Sequence, residues 1–184
     1  YFRGEGTMSF SDMIYALKSR KSNLLLKLEG TMKQDASGVN FFSDCRNAFD
    51  MIELKDSEVA SLLQALGQVG EIEEIVVDLS GDLTERQLLL MEEYADSIVY
   101  VCDGSITGIR KFEKYCETAR VLEERKEVVL LNKTTLLYNR YSSKSSMQME
   151  KLPVSLMGGV HRFEGASGRE LIEQIAATGI LKQV

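Results

Sequence analysis

The sequence predicts an α/β fold, a mainly parallel sheet with helices on both faces. Three observations carry that expectation. Short apolar runs rich in β-branched residues recur, at Ile75-Val76-Val77 with Leu79, at Ile98-Val99-Tyr100-Val101-Cys102 and at Val128-Val129-Leu130-Leu131. Runs of this length suit strands buried on both faces of a parallel sheet. Between the second and third runs, Ile109, Phe112, Tyr115, Cys116, Ala119 and Leu122 repeat at helical spacing, which predicts a long helix from about Thr107 to Arg125. Strands alternating with helices at this rhythm favour parallel pairing through right-handed crossovers. There is no internal repeat.

The 184 residues suit one domain, 1–184, large enough for a true core. An apolar share of 44% and a charged share of 27% are those of a soluble globular protein. The formal net charge of −6 argues against nucleic acid as the main partner, because such proteins carry a basic face. No apolar run reaches the length of a membrane span, so no transmembrane segment is expected. Cys45, Cys102 and Cys116 form no CxxC or metal spacing, and Cys102 reads as a small core residue. A reducing cytoplasm is the expected compartment. The opening Tyr1-Phe2-Arg3-Gly4 has neither an initiator methionine nor the apolar stretch of a signal peptide. The chain is therefore expected to be the distal part of a longer one.

In order along the chain, Gly4 and Gly6 sit in a polar opening loop. No Lys-Ser or Lys-Thr follows them, as a phosphate loop would need. Ser9 or Ser11 caps a helix with Met13, Ile14 and Leu17 on one face. Lys18, Arg20 and Lys21 suit the end of that helix dipole better than a ligand. Leu24 to Leu28 reads as a short strand or a helical turn, and Val39 to Phe42 as a short strand. A helix from Asp56 or Ser57 places Val59, Leu62, Leu63 and Leu66 together and stops at Gly67 or Gly70. Thr84-Glu85-Arg86-Gln87 resembles a capping box. The third apolar run is expected to be a strand ending at Asn132-Lys133, and the serine-rich Tyr138 to Lys151 a mobile connection. Leu152 to Met157 reads as a fourth strand followed by a Gly158-Gly159 loop, and Arg169 to Ala177 as the closing helix.

The residue with the clearest chemistry is Asp78, at the carboxyl end of the Ile75–Leu79 run, with Gly81 just beyond. Ligands gather at the carboxyl ends of strands in open α/β sheets. A carboxylate there can hold a magnesium-bound water, and a glycine lets backbone approach a phosphate. This is the pattern of a Walker B strand leading into a switch loop. An aspartate that merely ends a strand and caps the next helix gives the same local pattern.

Three features stand together in order: Ile75-Val76-Val77-Asp78 with Gly81, then Ala95-Asp96-Ser97-Ile98-Val99-Tyr100-Val101, then Val129-Leu130-Leu131-Asn132-Lys133. In this they resemble the distal two-thirds of the MinD/ParA group of P-loop ATPases, over about Glu71 to Leu181. The stretch Phe10 to Lys21 is similar to the CpaE/TadZ-like branch, which places the tight-adherence pilus machinery at the cell pole. The resemblance implies a P-loop NTPase (Rossmann-like, three-layer) architecture, incomplete at the amino end. It implies ATP and magnesium as cofactors, a homodimer, pilus or secretion-machinery partners and a polar cytoplasmic location. Under it, Asp78 binds magnesium through water, Gly81 is the switch glycine, Asn132 reads adenine with its side-chain amide, and Met157, Gly158 and Gly159 flank the base. The family's deviant Walker A loop and its lysines are absent from these residues, and no general base stands out. Asp78-Leu79-Ser80-Gly81 also lacks the proline of many relatives.

Two other functions fit the same pattern. One is a non-hydrolysing scaffold that uses the fold for contacts. The other is a receiver-like domain, with Asp78 as phosphoacceptor and Lys133 as its lysine, although no acidic pair is visible. The tail Glu170 to Val184 is partly amphipathic but carries few basic residues, so it is expected to pack on the sheet rather than on a membrane. The basic residues of the long helix, Arg110, Lys111, Lys114 and Arg120, are offset by Glu113, Glu117, Glu123 and Glu124.

Overall fold

A computed structural model describes residues 3–19, 23–81, 83–126, 128–142, 144, 146, 149, 151–165 and 167–180. The chain divides into two units, Tyr1–Asp78 and Leu79–Val184.

The first unit is mostly helical. Helix α1 (Phe10–Lys18) starts at Ser9, whose amide donates to the Asp12 carboxylate at 2.9 Å. Its Met13, Ile14, Ala16 and Leu17 are buried. Met13, Ile14 and Leu17 meet Leu28 of α2 (Leu24–Thr31) and Leu62, Ala65 and Leu66 of α4 (Asp56–Leu66) in one core, with Leu54 from the preceding loop. Leu24 to Leu28 is thus helix, ending at Met32. Strands β1 (Lys33–Gln34) and β2 (Asn40–Phe41) form a short antiparallel ribbon, and α3 (Ala48–Ile52) follows it. Lys18 pairs with Glu53 at 2.7 Å; Arg20 and Lys21 lie outside the described residues.

The expected strand at Ile75–Leu79 does not form. Residues 73–80 carry no ladder, and Val76 is 90% exposed. A β-branched run favours extended backbone, but a strand is completed only by a neighbour that takes its amides and carbonyls. Among the described residues none does.

The second unit holds the sheet. Helix α5 (Glu85–Leu89) opens with the expected capping box: Thr84 donates its amide to the Gln87 side chain at 2.9 Å, and Gln87 returns its amide to the Thr84 hydroxyl at 3.3 Å. The helix widens into a π-turn at Leu90–Tyr94. Strand β3 (Ile98–Cys102) follows, then α6 (Ile106–Lys126), β4 (Thr134–Tyr141), β5 (Ser155–His161) and α7 (Gly168–Ala177). The order is β3-β4-β5, all parallel. Phe112, Tyr115, Cys116 and Ala119 of α6 pack on one face of the sheet with Cys102, Leu136 and Tyr138. On the other face Leu137, Met157 and Val160 form a smaller cluster with Val99, Phe163, Ile175 of α7 and Ile180. The expected α/β class, with a parallel sheet and helices on both faces, is the observed one.

Strand β4 lies further along the chain than the sequence suggests. The Val128–Leu131 run is not a strand. The Glu123 carboxylate accepts from the amides of Leu130 and Leu131 at 2.7 and 2.8 Å, and this diverts the very donors a ladder would use. Leu130 instead plugs the core, and Leu131–Lys133 makes a 3₁₀ turn. Thr134 then begins the true central strand. Its hydroxyl lies 2.7 Å from that of Tyr115, and Leu136, Leu137 and Tyr138 are buried. Tyr138 to Tyr141 is therefore sheet rather than mobile connection.

Candidate functional site at the carboxyl edge of the sheet

In a parallel sheet all carboxyl ends lie on one edge, and here the turns after β3 and β4 meet there. Strand β3 ends at Cys102, paired with Tyr138, so Asp103 and Asn139 follow side by side. The Asp103 carboxylate accepts from the Ser105 amide at 3.0 Å, and the Ser105 hydroxyl accepts from the Gly108 amide at 3.0 Å, which fixes the start of α6. The Ser105 hydroxyl and amide, and then the positive charge of Arg140, hold the Asp103 carboxyl below its ordinary range. Gly104, at φ +71°, is forced by space as well as by backbone: a Cβ there would stand 2.7 Å from Cβ of Ser146. Ser146 belongs to the turn after β4; its hydroxyl donates to the Asp103 carbonyl at 3.3 Å and accepts from the Ser142 amide at 3.0 Å.

At the end of β4 the ladder to β5 slips. Asn139 pairs with Val160 and Tyr141 with His161, so Arg140 is a bulged residue. Its φ of +57° makes it the one non-glycine residue with positive φ among those described. Bulges of this kind re-aim side chains. Asn139 and Arg140 are both exposed, and the rings of Tyr141 and His161, next along the paired strands, lie 6.0 Å apart.

The residues expected to form the site are not all on this edge. Asn132 lies in the 3₁₀ turn before β4, at the amino edge of the sheet, and so not at the carboxyl end of a strand. Met157, Gly158 and Gly159 lie inside β5 rather than in a loop after it. Met157 is a core residue. A Cβ on Gly158, at φ +135°, would meet the Ile180 side chain at 2.8 Å, and one on Gly159 would sit 3.4 Å from Cβ of Tyr141. Backbone conformation and packing against Ile180 together explain Gly158, while Gly159 has only ordinary contacts around it. Gly81 is exposed, and a Cβ there would meet nothing within 4 Å. Asp78 is exposed at the end of the unpaired segment. Lys133 donates to the carbonyls of Glu92 and Ala95 at 3.3 and 2.8 Å, so it caps the π-turn and is not held ready for a phosphoaspartate. That removes the lysine on which the receiver-like reading depended.

Asn139, Arg140 and Asp103 are the carboxyl-edge residues that sequence reasoning missed. The signal was present: Leu136-Leu137-Tyr138-Asn139 is an apolar run ending in asparagine, as Leu130-Leu131-Asn132 is. Only the Glu123 contact decides between the two.

The chemistry of the donor set is uneven. An exposed amide and a guanidinium suit a planar heteroaromatic base. No lysine-bearing glycine loop among the residues of the chain supplies the amides and charge that a triphosphate needs. Among the described residues no group of three His, Cys, Asp or Glu side chains could enclose a metal ion. The buried thiols are not nucleophiles: burial pushes Cys116 up to about 11 and raises Cys102. No described helix is long and apolar enough to cross a membrane.

The chain matches no protein-family model and no curated protein sequence. Among solved structures it is similar to the ParA family ATPase from Chlorobium tepidum TLS. The TM-score is 0.67, over 100% of this chain and 71% of that one, at 12% sequence identity. At so low an identity the likeness speaks for the fold alone: a parallel sheet flanked by helices, as in that structure.

Proposed function

We propose that the protein is an ATP-binding, dimerising switch of the MinD/ParA type that positions a pilus or secretion assembly, with its base-recognition half at the carboxyl edge of the sheet. The observation that carries this reading is Asn139, an exposed side-chain amide at the carboxyl end of the central parallel strand. An amide donates and accepts at once, as the edge of adenine requires. Asn139 takes over the role that the sequence suggested for Asn132. Asp78 keeps its proposed role as the carboxylate that holds magnesium through water, and Gly81 its role as the switch glycine. The residues present do not cradle a triphosphate, so no hydrolytic step is assigned to them. Nucleotide would act by favouring one of two states, and a second copy of the chain is the partner proposed for the bound state. A cytoplasmic, polar location belongs to the same proposal.

A non-hydrolysing scaffold is the second reading. It is favoured by the missing phosphate cradle and by Phe49 and Ile52 of α3, which are 66% and 73% exposed. Calorimetric titration with ATP and magnesium separates the two, on this chain and on the protein extended at its amino end. Binding that is lost in Asn139→Ala, with Asn132→Ala unaffected, is the expected result. Heatless titrations of both proteins would leave the scaffold.

A further inference from the structure

Arg140 is an unusual residue at an unusual place. A left-handed backbone is unfavourable for an L-residue, and glycine avoids that cost. If the bulge served only to bend β4, glycine would serve better. Strain of this kind persists where the side chain is needed. The side chain is exposed and makes no ion pair within 4 Å with another described residue. Its positive charge acts on the Asp103 carboxylate, which follows the neighbouring strand. A guanidinium is planar and delocalised, and an exposed one can lie flat against a ring.

We propose that Arg140 is the residue that grips the ring of the bound base, laying its guanidinium plane on the purine whose edge Asn139 reads. The assignment rests on the nucleotide reading above. It follows from the adjacency of the two residues. An amide reads a base in its plane, and a planar cation on the next residue can cover its face. Arg140 is thus an affinity residue for the ring, with Asn139 reading its edge, and not a phosphate ligand.

The test uses displacement of a ribose-labelled fluorescent ATP by adenosine and by ATP, on this chain and on the amino-terminally extended protein. Arg140→Gly keeps the left-handed bulge and is expected to raise the melting temperature. It should weaken adenosine and ATP by the same factor, roughly 5- to 30-fold for a desolvated cation–ring contact. Arg140→Lys, which keeps the charge but not the plane, should bind no better than Arg140→Gly. A loss for ATP alone, or full recovery in Arg140→Lys, would overturn the assignment in favour of a charge on phosphate. Unchanged binding in Arg140→Gly with weakened binding in Asn139→Ala would overturn it and leave the nucleotide site standing. Absence of binding in the parent proteins, or indifference to Asn139→Ala, would remove the nucleotide reading and the Arg140 assignment with it.

Discussion

Asp103 links the geometry of the carboxyl edge to pH. Its carboxylate accepts from Ser105 and faces Arg140, and these lower its folded-state pKa. A depressed carboxyl contributes stability that is present above its unfolded value, about 3.9, and is lost as pH falls through the folded value. Asn in its place can still cap the turn but cannot titrate. Thermal melts of Asp103→Asn should therefore match the parent most nearly at the lowest pH at which both fold, and the deficit should open as pH rises to neutrality. A pH-independent difference would mean that the charge of Asp103 does nothing for the fold. Asp12 and Glu170 are lowered in the same way, chiefly by the backbone amides of Ser9 and Ser167, so the parent retains an acid-sensitive slope even in the variant.

At the scale of elements, two glycines and a lysine show which forces set the sheet. Gly158→Ala adds a Cβ at φ +135° and within 2.8 Å of Ile180. We expect a loss of about 1–3 kcal/mol, read from urea denaturation. Adding Ile180→Ala should relieve the steric part and leave the backbone part. Lys133→Met keeps the stem but removes the cap on the Glu92 and Ala95 carbonyls, at a cost of about 1 kcal/mol. A loss of ATP binding in Lys133→Met, with stability unchanged, would return Lys133 to the site. The same scale explains what the sequence conveyed. Strand β3 and α6 were legible because the apolar run Ile98–Cys102 and the spacing of Ile109, Phe112, Cys116 and Ala119 each admit one reading. The α5 cap was legible because Thr84 and Gln87 lie three residues apart. Strand β4 was not, because two apolar runs end in asparagine and the choice between them is made by Glu123, a helical residue whose reach to Leu130 is a tertiary fact. The Ile75–Leu79 run misled for a related reason, since a strand exists only with its partner. The Gly158-Gly159 pair read as a loop because sequence does not reveal a side chain arriving from Ile180.

The charge of the whole molecule bears on its partners. Residues 1–78 hold eight Lys and Arg against thirteen Asp and Glu, and residues 79–184 hold fourteen against fifteen. The negative excess thus resides in the first unit, while the second, with the sheet, is close to neutral. On α6 the cations are interleaved with carboxylates, and Arg110 is already paired with Glu113 at 3.0 Å. Sequence-independent affinity for duplex DNA comes from phosphates neutralised by uncompensated Lys and Arg, with a salt slope that counts them. Neither unit offers such an excess. The expected outcome is that a labelled random-sequence duplex shows no change in anisotropy at micromolar protein and near-physiological salt, with or without ATP and magnesium. A salt-sensitive rise that appears only with nucleotide would mean that the bound state assembles a basic surface from groups that are dispersed in the single chain, and the partner assignment would then move from a protein assembly to the chromosome.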